Sequence, residues 1–175
     1  DDGLTWSERV EITANVKFPE WGWYATGPCH GIQLTRGAQA GRLVVPANHR
    51  IGTDGSDSGS FGAQVLYSDD RGVTWQMTAT ADAENGTGPN ETTLVELDIP
   101  DVTGSNIYIN SRDYGSDPGN RSEAFSSDGG ASYSVPYNGN PHFVTPIVQG
   151  SLLRFSSTDE GDDEDRIIFS CPNGG

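Results

Sequence analysis

The chain has 175 residues, of which 25 are Asp or Glu and 10 are Lys or Arg, so its formal net charge at pH 7 is −15. Only one of the ten basic residues is a lysine, Lys17. So acidic a chain repels phosphate backbones and anionic headgroups, which excludes nucleic acid and anionic membrane surfaces as expected partners. No stretch of the sequence is a candidate membrane span.

Gly and Pro are frequent, with 23 and 10 copies, and apolar residues nowhere keep a helical period over three turns. Short apolar or alternating runs recur instead, each bounded by Gly, Asn, Asp, Ser or Pro, as strands between turns are. This pattern predicts an all-β fold. In chain order the predicted strands include Arg42–Val45, Gln64–Tyr67, Thr93–Leu97, Asn106–Asn110, Leu152–Phe155 and Arg166–Phe169.

A short turn motif occurs twice in full and once in part. Ser68–Trp75 reads S-x-D-x-G-x-T-W, Ser126–Tyr133 reads S-x-D-x-G-x-S-Y, and Asp1–Trp6 has the last six positions of the same frame. The Asp two residues before the Gly can accept hydrogen bonds from the backbone of a tight turn, and the Gly supplies a positive φ. Each copy is therefore predicted to be a self-closing hairpin, and neither Asp70 nor Asp128 is predicted to be a catalytic acid.

The motif resembles the Asp-box of sialidases and related β-propellers. Asp1 and Asp70 are 69 positions apart, and Asp70 and Asp128 are 58 apart. Typical blades have about 40–50 residues, so long inserted loops are expected, and such loops usually carry the binding surface. The resemblance implies a six-bladed β-propeller of four-stranded antiparallel blades, and this chain is expected to supply about three of the six blades. Because the chain starts inside a box, residues 1–175 are expected to be one sialidase-like propeller domain that is incomplete at both ends.

Cysteines and histidines give no metal-binding pattern. Cys29 and Cys171 allow one disulfide at most, and two free thiols are an equally good interpretation. The three histidines, His30, His49 and His142, lack the i, i+4 pairing that binds zinc on a helix. A zinc site is therefore not expected.

The most acidic run is residues 159–165, D-E-G-D-D-E-D, which is expected to be a solvated loop. The alternative is calcium binding, by this run or by residues 52–59, G-T-D-G-S-D-S-G. Neither run has the ligand spacing of an EF-hand loop. No metal and no other cofactor is predicted.

Three further stretches narrow the resemblance to the sialidase family itself. Glu20–Leu34 followed by Gly41–Ala47 is similar to the family's G-P-G-x-G-I-Q-L…G-R-L-V-x-P stretch, with Cys29 in place of the second glycine. Asn90–Leu97 and Ile107–Arg112 resemble its N-E-x-x-x-x-E-L…N-(S/A)-R element. Ile168–Asn173 resembles its F-S-N-P strand and turn, and all these stretches follow the family's order.

The resemblance implies hydrolysis of a terminal sialic acid from glycoproteins, glycolipids or oligosaccharides, with retention of configuration. The anomeric carbon of sialic acid bears a carboxylate, which repels an Asp or Glu nucleophile, so the usual pair of catalytic carboxylates does not apply. The family attacks with a tyrosine instead, and Glu91 stands at the position of the general base that takes its proton. Arg112 stands at the middle position of the family's three arginines, which bind the substrate carboxylate.

The roles of Glu91 and Arg112 depend on this context. Taken alone, a Glu beside Asn and Thr is most often a surface-loop residue, and an Arg that ends a strand most often makes a surface ion pair. Their place in the matched element, 21 positions apart, assigns the catalytic roles.

Three residues near the start of the first stretch are candidate substrate-binding residues. Glu20 stands where some family members place a glutamate against the polar substituents of the sugar, although an exposed loop carboxylate is the alternative. Trp23 and Tyr24, with Trp21, either form an apolar wall for the N-acyl group or line a junction between blades.

The family's first arginine and its aspartate acid/base come before the first box, and its third arginine and nucleophilic tyrosine come after the position of Asn173. The chain is therefore expected to lack these four groups and to be inactive alone. The alternative function is an inactive Asp-box propeller that binds glycans or proteins. The substrate class implies a secreted or periplasmic location.

Overall fold

The computed structural model of the chain describes residues 3–53, 58–78, 81–82, 86–98, 106–115 and 120–174. Within these ranges, helix is confined to one short α-helix and two single turns of 3-10 helix, which confirms the all-β prediction. In chain order the elements are α1 (Thr13–Val16), β1 (Trp21–Thr26), β2 (Ile32–Gln33), a 3-10 turn (Gly37–Gln39), β3 (Leu43–Ile51), β4 (Phe61–Ser68), β5 (Gln76–Met77), β6 (Ala81–Asp82), β7 (Pro89–Glu96), β8 (Ile107–Asp113), β9 (Arg121–Ser126), β10 (Val135–Gly139), β11 (Ser151–Ser156), a second 3-10 turn (Thr158–Glu160) and β12 (Arg166–Ser170).

The strands form three antiparallel sheets. In the first sheet the order is β1-β3-β4-β5, with β2 beside β3 and β6 beside β4. The second sheet has the order β10-β9-β8-β7, and β11 pairs with β12 in a hairpin. Each of the first two sheets thus contains the four-strand meander of a propeller blade, which confirms the predicted partial propeller.

The main core lies between the first two sheets. Leu34, Val44, Ala63 and Val65 from the first sheet and its loops pack against residues of the second, and each of these side chains is at most 1% exposed. The second sheet contributes Leu94, Ile107, Ile109, Ala124 and Tyr137. Burying this apolar surface fixes the two sheets against each other, so side chains at their common edge keep fixed relative positions.

The two complete Asp-box turns occupy equivalent positions, since each joins the third and fourth strands of its sheet. They also form the same hydrogen bonds. The Asp70 carboxylate accepts from the Thr74 N–H at 2.8 Å and from the Thr74 hydroxyl at 2.6 Å. Asp128 accepts from Ser132 in the same way, at 2.8 and 2.6 Å. The serine of each box adds a bond that the motif did not predict, because the Ser68 hydroxyl accepts from the Gly72 N–H at 2.8 Å.

The glycines of these turns have the expected backbone conformation, with φ of 86° at Gly72 and 87° at Gly130. The aromatic residues that end the boxes differ in their contacts. Trp75 folds back on its own turn and donates from its indole N–H to the Gly72 carbonyl at 3.1 Å. Tyr133 packs against the main core and donates to the Ala63 carbonyl of the first sheet at 3.3 Å. Of the partial box, Asp1 and Asp2 lie outside the described residues.

The Glu96 carboxylate, at the end of β7, connects all three sheets. It accepts hydrogen bonds from the Thr35 N–H at 3.0 Å and the Arg36 N–H at 3.0 Å, both in a loop of the first sheet. It also accepts from the Arg154 guanidinium of β11 at 3.2 Å. The Glu96 side chain is only 5% exposed, so these bonds form in a poorly solvated place.

Asp98 and the acidic run of residues 159–165 complete the network around the two arginines. Arg36 pairs with Asp98 at 2.6 Å and with Asp159 at 2.9 Å. Arg154 pairs with Glu160 at 2.9 Å. The run is exposed, as expected of a solvated loop, but part of it also neutralises arginines that hold the sheets together.

The two cysteines are free thiols, which decides between the two alternatives that the sequence left open. The Cys29 thiol donates to the Gly150 carbonyl at 2.8 Å, and the Cys171 sulfur lies 3.6 Å from the Gln149 carbonyl oxygen. Both thiols therefore contact the segment that leads into β11.

We predict that Glu96→Gln lowers the free energy of unfolding by about 2–4 kcal/mol, because two arginines lose the buried charge between them. The matched control is Glu160→Gln, which removes an ion pair of Arg154 whose carboxylate side chain is 59% exposed. That change is expected to cost less than about 1 kcal/mol. Urea unfolding at pH 7 measures both free energies. Equal decreases in the two variants would contradict the inference that Glu96 stabilises the contacts between the sheets.

We further predict that Thr74→Ala raises the pKa of Asp70. The hydrogen bonds from the Thr74 side chain and backbone, with that from Ser68, lower this pKa from 3.8 to about 2. Since the pKa is lowered in the folded state, the stabilisation is present above about pH 4 and is lost as the pH falls through 2. An NMR titration of the Asp70 carboxyl carbon measures the shift. Ser132→Ala, in the other box, should leave the pKa of Asp70 unchanged.

Candidate active site between the first two sheets

A cavity of about 240 Å³ opens where the first two sheets meet. Both sheets supply its walls, so its shape depends on the core between them. The first sheet contributes Trp23 of β1, Arg50 of β3 and Phe61 of β4, and the second contributes Asn90 and Glu91 of β7, Arg112 of β8 and Tyr114, which directly follows β8.

Glu91 reaches the cavity from an irregular part of β7. The pairing of β7 with β8 shifts register between Pro89 and Thr92, so Glu91 lies within a bulge. Bulges re-aim side chains and are common beside active sites. The backbone around it is held on both sides, since the Glu91 N–H donates to the Asn90 side chain at 2.6 Å and the Thr92 N–H donates to the Gly27 carbonyl at 3.1 Å.

Arg112 forms an ion pair with Glu91. The distance between Arg112 Nη1 and Glu91 Oε2 is 2.8 Å, and the two side chains are 18% and 29% exposed. The second terminal nitrogen, Nη2, donates to the Tyr114 hydroxyl, and the guanidinium carbon lies 4.5 Å from the centre of the Tyr114 ring. Glu91 and Tyr114 thus hold the guanidinium group from two sides. Each terminal nitrogen retains a second N–H for a ligand, since a guanidinium has five donors.

The Nε of Arg112 is buried and has no hydrogen-bond partner among the described residues. A buried donor without a partner is costly, so this nitrogen calls for an explanation. The remaining N–H groups on the two terminal nitrogens suit the guanidinium to bind an anion that accepts several hydrogen bonds, such as a carboxylate.

The structure gathers three of the predicted site residues and leaves two outside the cavity. Glu91, Arg112 and Trp23 line it, and Trp23 is 37% exposed. Glu20 is exposed just before β1, and its carbonyl accepts from the Gly52 N–H at 2.8 Å. Tyr24 follows Trp23 on the strand, so its side chain is on the other face.

Tyr24 belongs to the packing of the first sheet. Its ring stacks on that of Trp21 at 5.9 Å, and Trp21 stacks on His49 at 3.8 Å. Burial raises the pKa of the Tyr24 hydroxyl. Of the two alternatives for these aromatic residues, Trp21 and Tyr24 have structural contacts, and Trp23 alone faces the cavity.

Four residues that line the cavity were not among the predicted site residues. Tyr114 lies two positions beyond Arg112 on the same side of the chain, and this spacing is the signal that could have indicated it. Asn90 directly precedes Glu91 within the matched motif. Arg50 and Phe61 carry no local signal, because they reach the cavity only through the pairing of β3 with β4.

Within the described ranges, no group of three or more His, Cys, Asp or Glu side chains is placed to hold a metal ion. The helices found there are also too short and too polar to cross a lipid bilayer.

The comparisons with known proteins agree with one another on the family. The BNR repeat-like domain matches residues 1–163. A sialidase of Bacteroides fragilis is 28% identical over 173 residues, covering 99% of this chain and 28% of that protein. A sialidase of Micromonospora viridifaciens is 36% identical over 156 residues, covering 88% of this chain and 21% of that protein. The intramolecular trans-sialidase of Ruminococcus gnavus, solved with oseltamivir carboxylate, is 29% identical with a TM-score of 0.71, covering 99% of this chain and 32% of its own.

The chain thus spans a minor part of the length of each of these proteins, while they match most of its own length. The observed sheets and the position of both complete Asp-box turns agree with the family that the sequence resembled. The chain belongs to the BNR repeat-like domain family, and it is part of an Asp-box β-propeller of the sialidase type.

Proposed function

We propose that this chain supplies part of the active site of a retaining exo-α-sialidase, which acts on sialylated glycoproteins, glycolipids or oligosaccharides. The observation that carries the proposal is the ion pair of Glu91 with Arg112 in the cavity between the first two sheets. The relatives named above are sialidases over the same region, which supports the reaction class.

Arg112 binds the carboxylate of the substrate in this proposal. A guanidinium group stays charged at any working pH and offers parallel N–H donors that match the two oxygens of a carboxylate. A protein of net charge −15 needs such a local positive centre to bind an anionic sugar. Glu91 and Tyr114 fix the group before the substrate arrives, which reduces the cost of ordering it.

Glu91 acts as general base to a tyrosine supplied from beyond this chain. The tyrosine oxygen attacks the anomeric carbon while Glu91 takes the phenol proton, and the bond to the leaving alcohol breaks as that oxygen gains a proton from an acid. Water then attacks the same carbon, giving a proton back to the acid of the first step, and displaces the tyrosine oxygen, which regains its proton from Glu91. Two inversions give net retention.

The activity is proposed for the polypeptide that carries this chain with the rest of its propeller, because the chain covers only 28% and 21% of the two sialidases. In this proposal the two other arginines, the aspartate acid and the tyrosine come from outside the 175 residues, as the resemblance implies. The proposed location is secreted or periplasmic, on the basis of the substrate class, and cell fractionation with an antibody to the chain tests it.

A propeller that only binds glycans is the alternative function. A binding module has no need of a base beside the arginine, so the pairing of Glu91 with Arg112 favours the enzyme. Sialic acid release distinguishes the two functions directly, since a binding module retains sialosides on a column without releasing the sugar.

We predict that Glu91→Gln lowers kcat for a fluorogenic sialoside by about 10²–10⁴-fold in that polypeptide, because the phenol proton loses its acceptor. KM should change little. The matched control is Glu8→Gln, at an exposed position away from the cavity, which should leave kcat unchanged. Unchanged kcat in the Glu91 variant would contradict its role as base.

We also predict that Arg112→Lys lowers kcat/KM by about 10²-fold, because an ammonium group cannot bind a carboxylate through two parallel N–H groups. Initial rates over a range of sialoside concentrations give this ratio. Arg9→Lys, at an exposed position, is the control for the same change elsewhere. A wild-type polypeptide that is folded, binds sialosides and releases no sialic acid would overturn the proposed function as a whole.

A further inference from the structure

The cavity contains a second arginine, Arg50, whose place in the sheet is set by strand register. Arg50 is the direct partner of Trp23 across β1 and β3, and of Phe61 across β3 and β4. Directly opposed residues of antiparallel strands project from the same face. Trp23, Arg50 and Phe61 therefore form a row on the face of the first sheet that borders the cavity.

This row continues into the second sheet by stacking. The Arg50 guanidinium lies 4.1 Å from the centre of the Phe61 ring. The Phe61 ring stacks on the Tyr114 ring at 4.6 Å with an interplanar angle of 3°, and the Arg112 guanidinium lies 4.5 Å from the centre of the Tyr114 ring. The Arg50 guanidinium therefore contacts Phe61, and the Arg112 guanidinium contacts Tyr114, the other ring of this two-ring stack.

The charges at the two ends of the stack differ. Arg112 is paired with Glu91 at 2.8 Å, whereas Arg50 has no ion-pair partner in the part of the chain that the structure describes. The Arg50 Nε–H donates to the Gly59 carbonyl at 3.0 Å, which fixes the plane of the guanidinium. This bond and the contact with Phe61 hold the group in one orientation, and its terminal N–H groups bond to no other residue within the described ranges.

The geometry of the sugar relates the two ends of the stack. The carboxylate of a sialic acid is on the anomeric carbon, the N-acyl group is on the ring carbon opposite to it, and the glyceryl chain is on the next carbon. A sugar that places its carboxylate on Arg112 directs these oxygen-bearing groups away from Arg112. Among the other residues that line the cavity, Arg50 offers a second cation and Trp23 an aromatic ring.

We propose that Arg50 is a specificity-determining residue that donates hydrogen bonds to the oxygen substituents of the sugar remote from its carboxylate, either the N-acyl carbonyl or the glyceryl hydroxyls. Trp23 beside it covers the adjoining C–H groups. This inference rests on the proposed function, since it takes the carboxylate of the same sugar to be bound at Arg112.

The test measures kcat/KM of the wild-type and Arg50→Gln polypeptides on three fluorogenic sialosides. The first is intact, the second has its glyceryl chain shortened by periodate oxidation and reduction, and the third has a hydroxyl in place of the N-acyl group. We expect Arg50→Gln to lower kcat/KM on the intact sialoside roughly ten-fold, mainly through KM. The loss should shrink to less than about two-fold on the analogue that lacks the contacted group.

The comparison between substrates on one variant removes any general effect of the substitution on folding. Arg9→Gln is the matched control and should show no loss on any sialoside. An equal loss on all three substrates, or no loss on the intact one, would overturn the role of Arg50 and leave the proposed function standing. A wild-type polypeptide inactive on all three would overturn both proposals.

Discussion

One buried carboxylate, that of Glu96, holds the three sheets in their relative positions. It accepts hydrogen bonds from a loop of the first sheet, lies at the end of β7 in the second sheet, and contacts Arg154 of the third sheet. Among the described residues, the side chains of the main apolar core come from the first two sheets, and polar contacts such as that of Arg154 with Glu96 tie the third sheet to them. A cavity whose walls come from different sheets keeps its dimensions only if the sheets keep their spacing, and this network therefore supports the site from a distance.

The sequence predicted the fold well where the signal was local. The Asp-box turns depend on four neighbouring side chains and a glycine, and the six predicted strands correspond to β3, β4, β7, β8, β11 and β12. β9 was missed because it reads R-S-E-A-F-S, with no apolar run. Its Arg121 is nevertheless fully buried, donating to Asn110 at 2.7 Å and to the Val148 carbonyl at 2.9 Å. A buried arginine whose Nε and Nη1 groups donate to neutral oxygens elsewhere in the chain leaves no local pattern.

For the site too, residues with a local sequence signal were predicted, and residues brought in by contacts between distant segments were not. Glu91 and Arg112 were indicated by a motif within one hairpin, and strand pairing brings them within 2.8 Å. Trp23 was a candidate with two open interpretations, and its orientation follows from the alternation of β1. Arg50 and Phe61 could not be predicted, because the pairing of β3 with β4 brings them together and the packing of Phe61 on Tyr114 of the second sheet follows no sequence spacing. Glu20 and Tyr24 were predicted as substrate-binding residues from the same motif as Trp23, but neither side chain lines the cavity.

The stack of Phe61 on Tyr114 has a consequence for how such a protein can diversify. Each ring of the stack contacts one of the two arginines, and the two pairs come from separate segments of the chain, one ending at residue 61 and the other beginning at residue 90. Under the proposed function, substitutions at Trp23 or Arg50 would change which sugar substituents are accepted and would leave the contacts of Arg112 with Glu91 and Tyr114 in place. Phe61 is the exception in the first segment, because its ring packs directly on Tyr114. Selectivity would then be open to change at two positions of the first sheet, while the residue that joins the two sheets stays constrained.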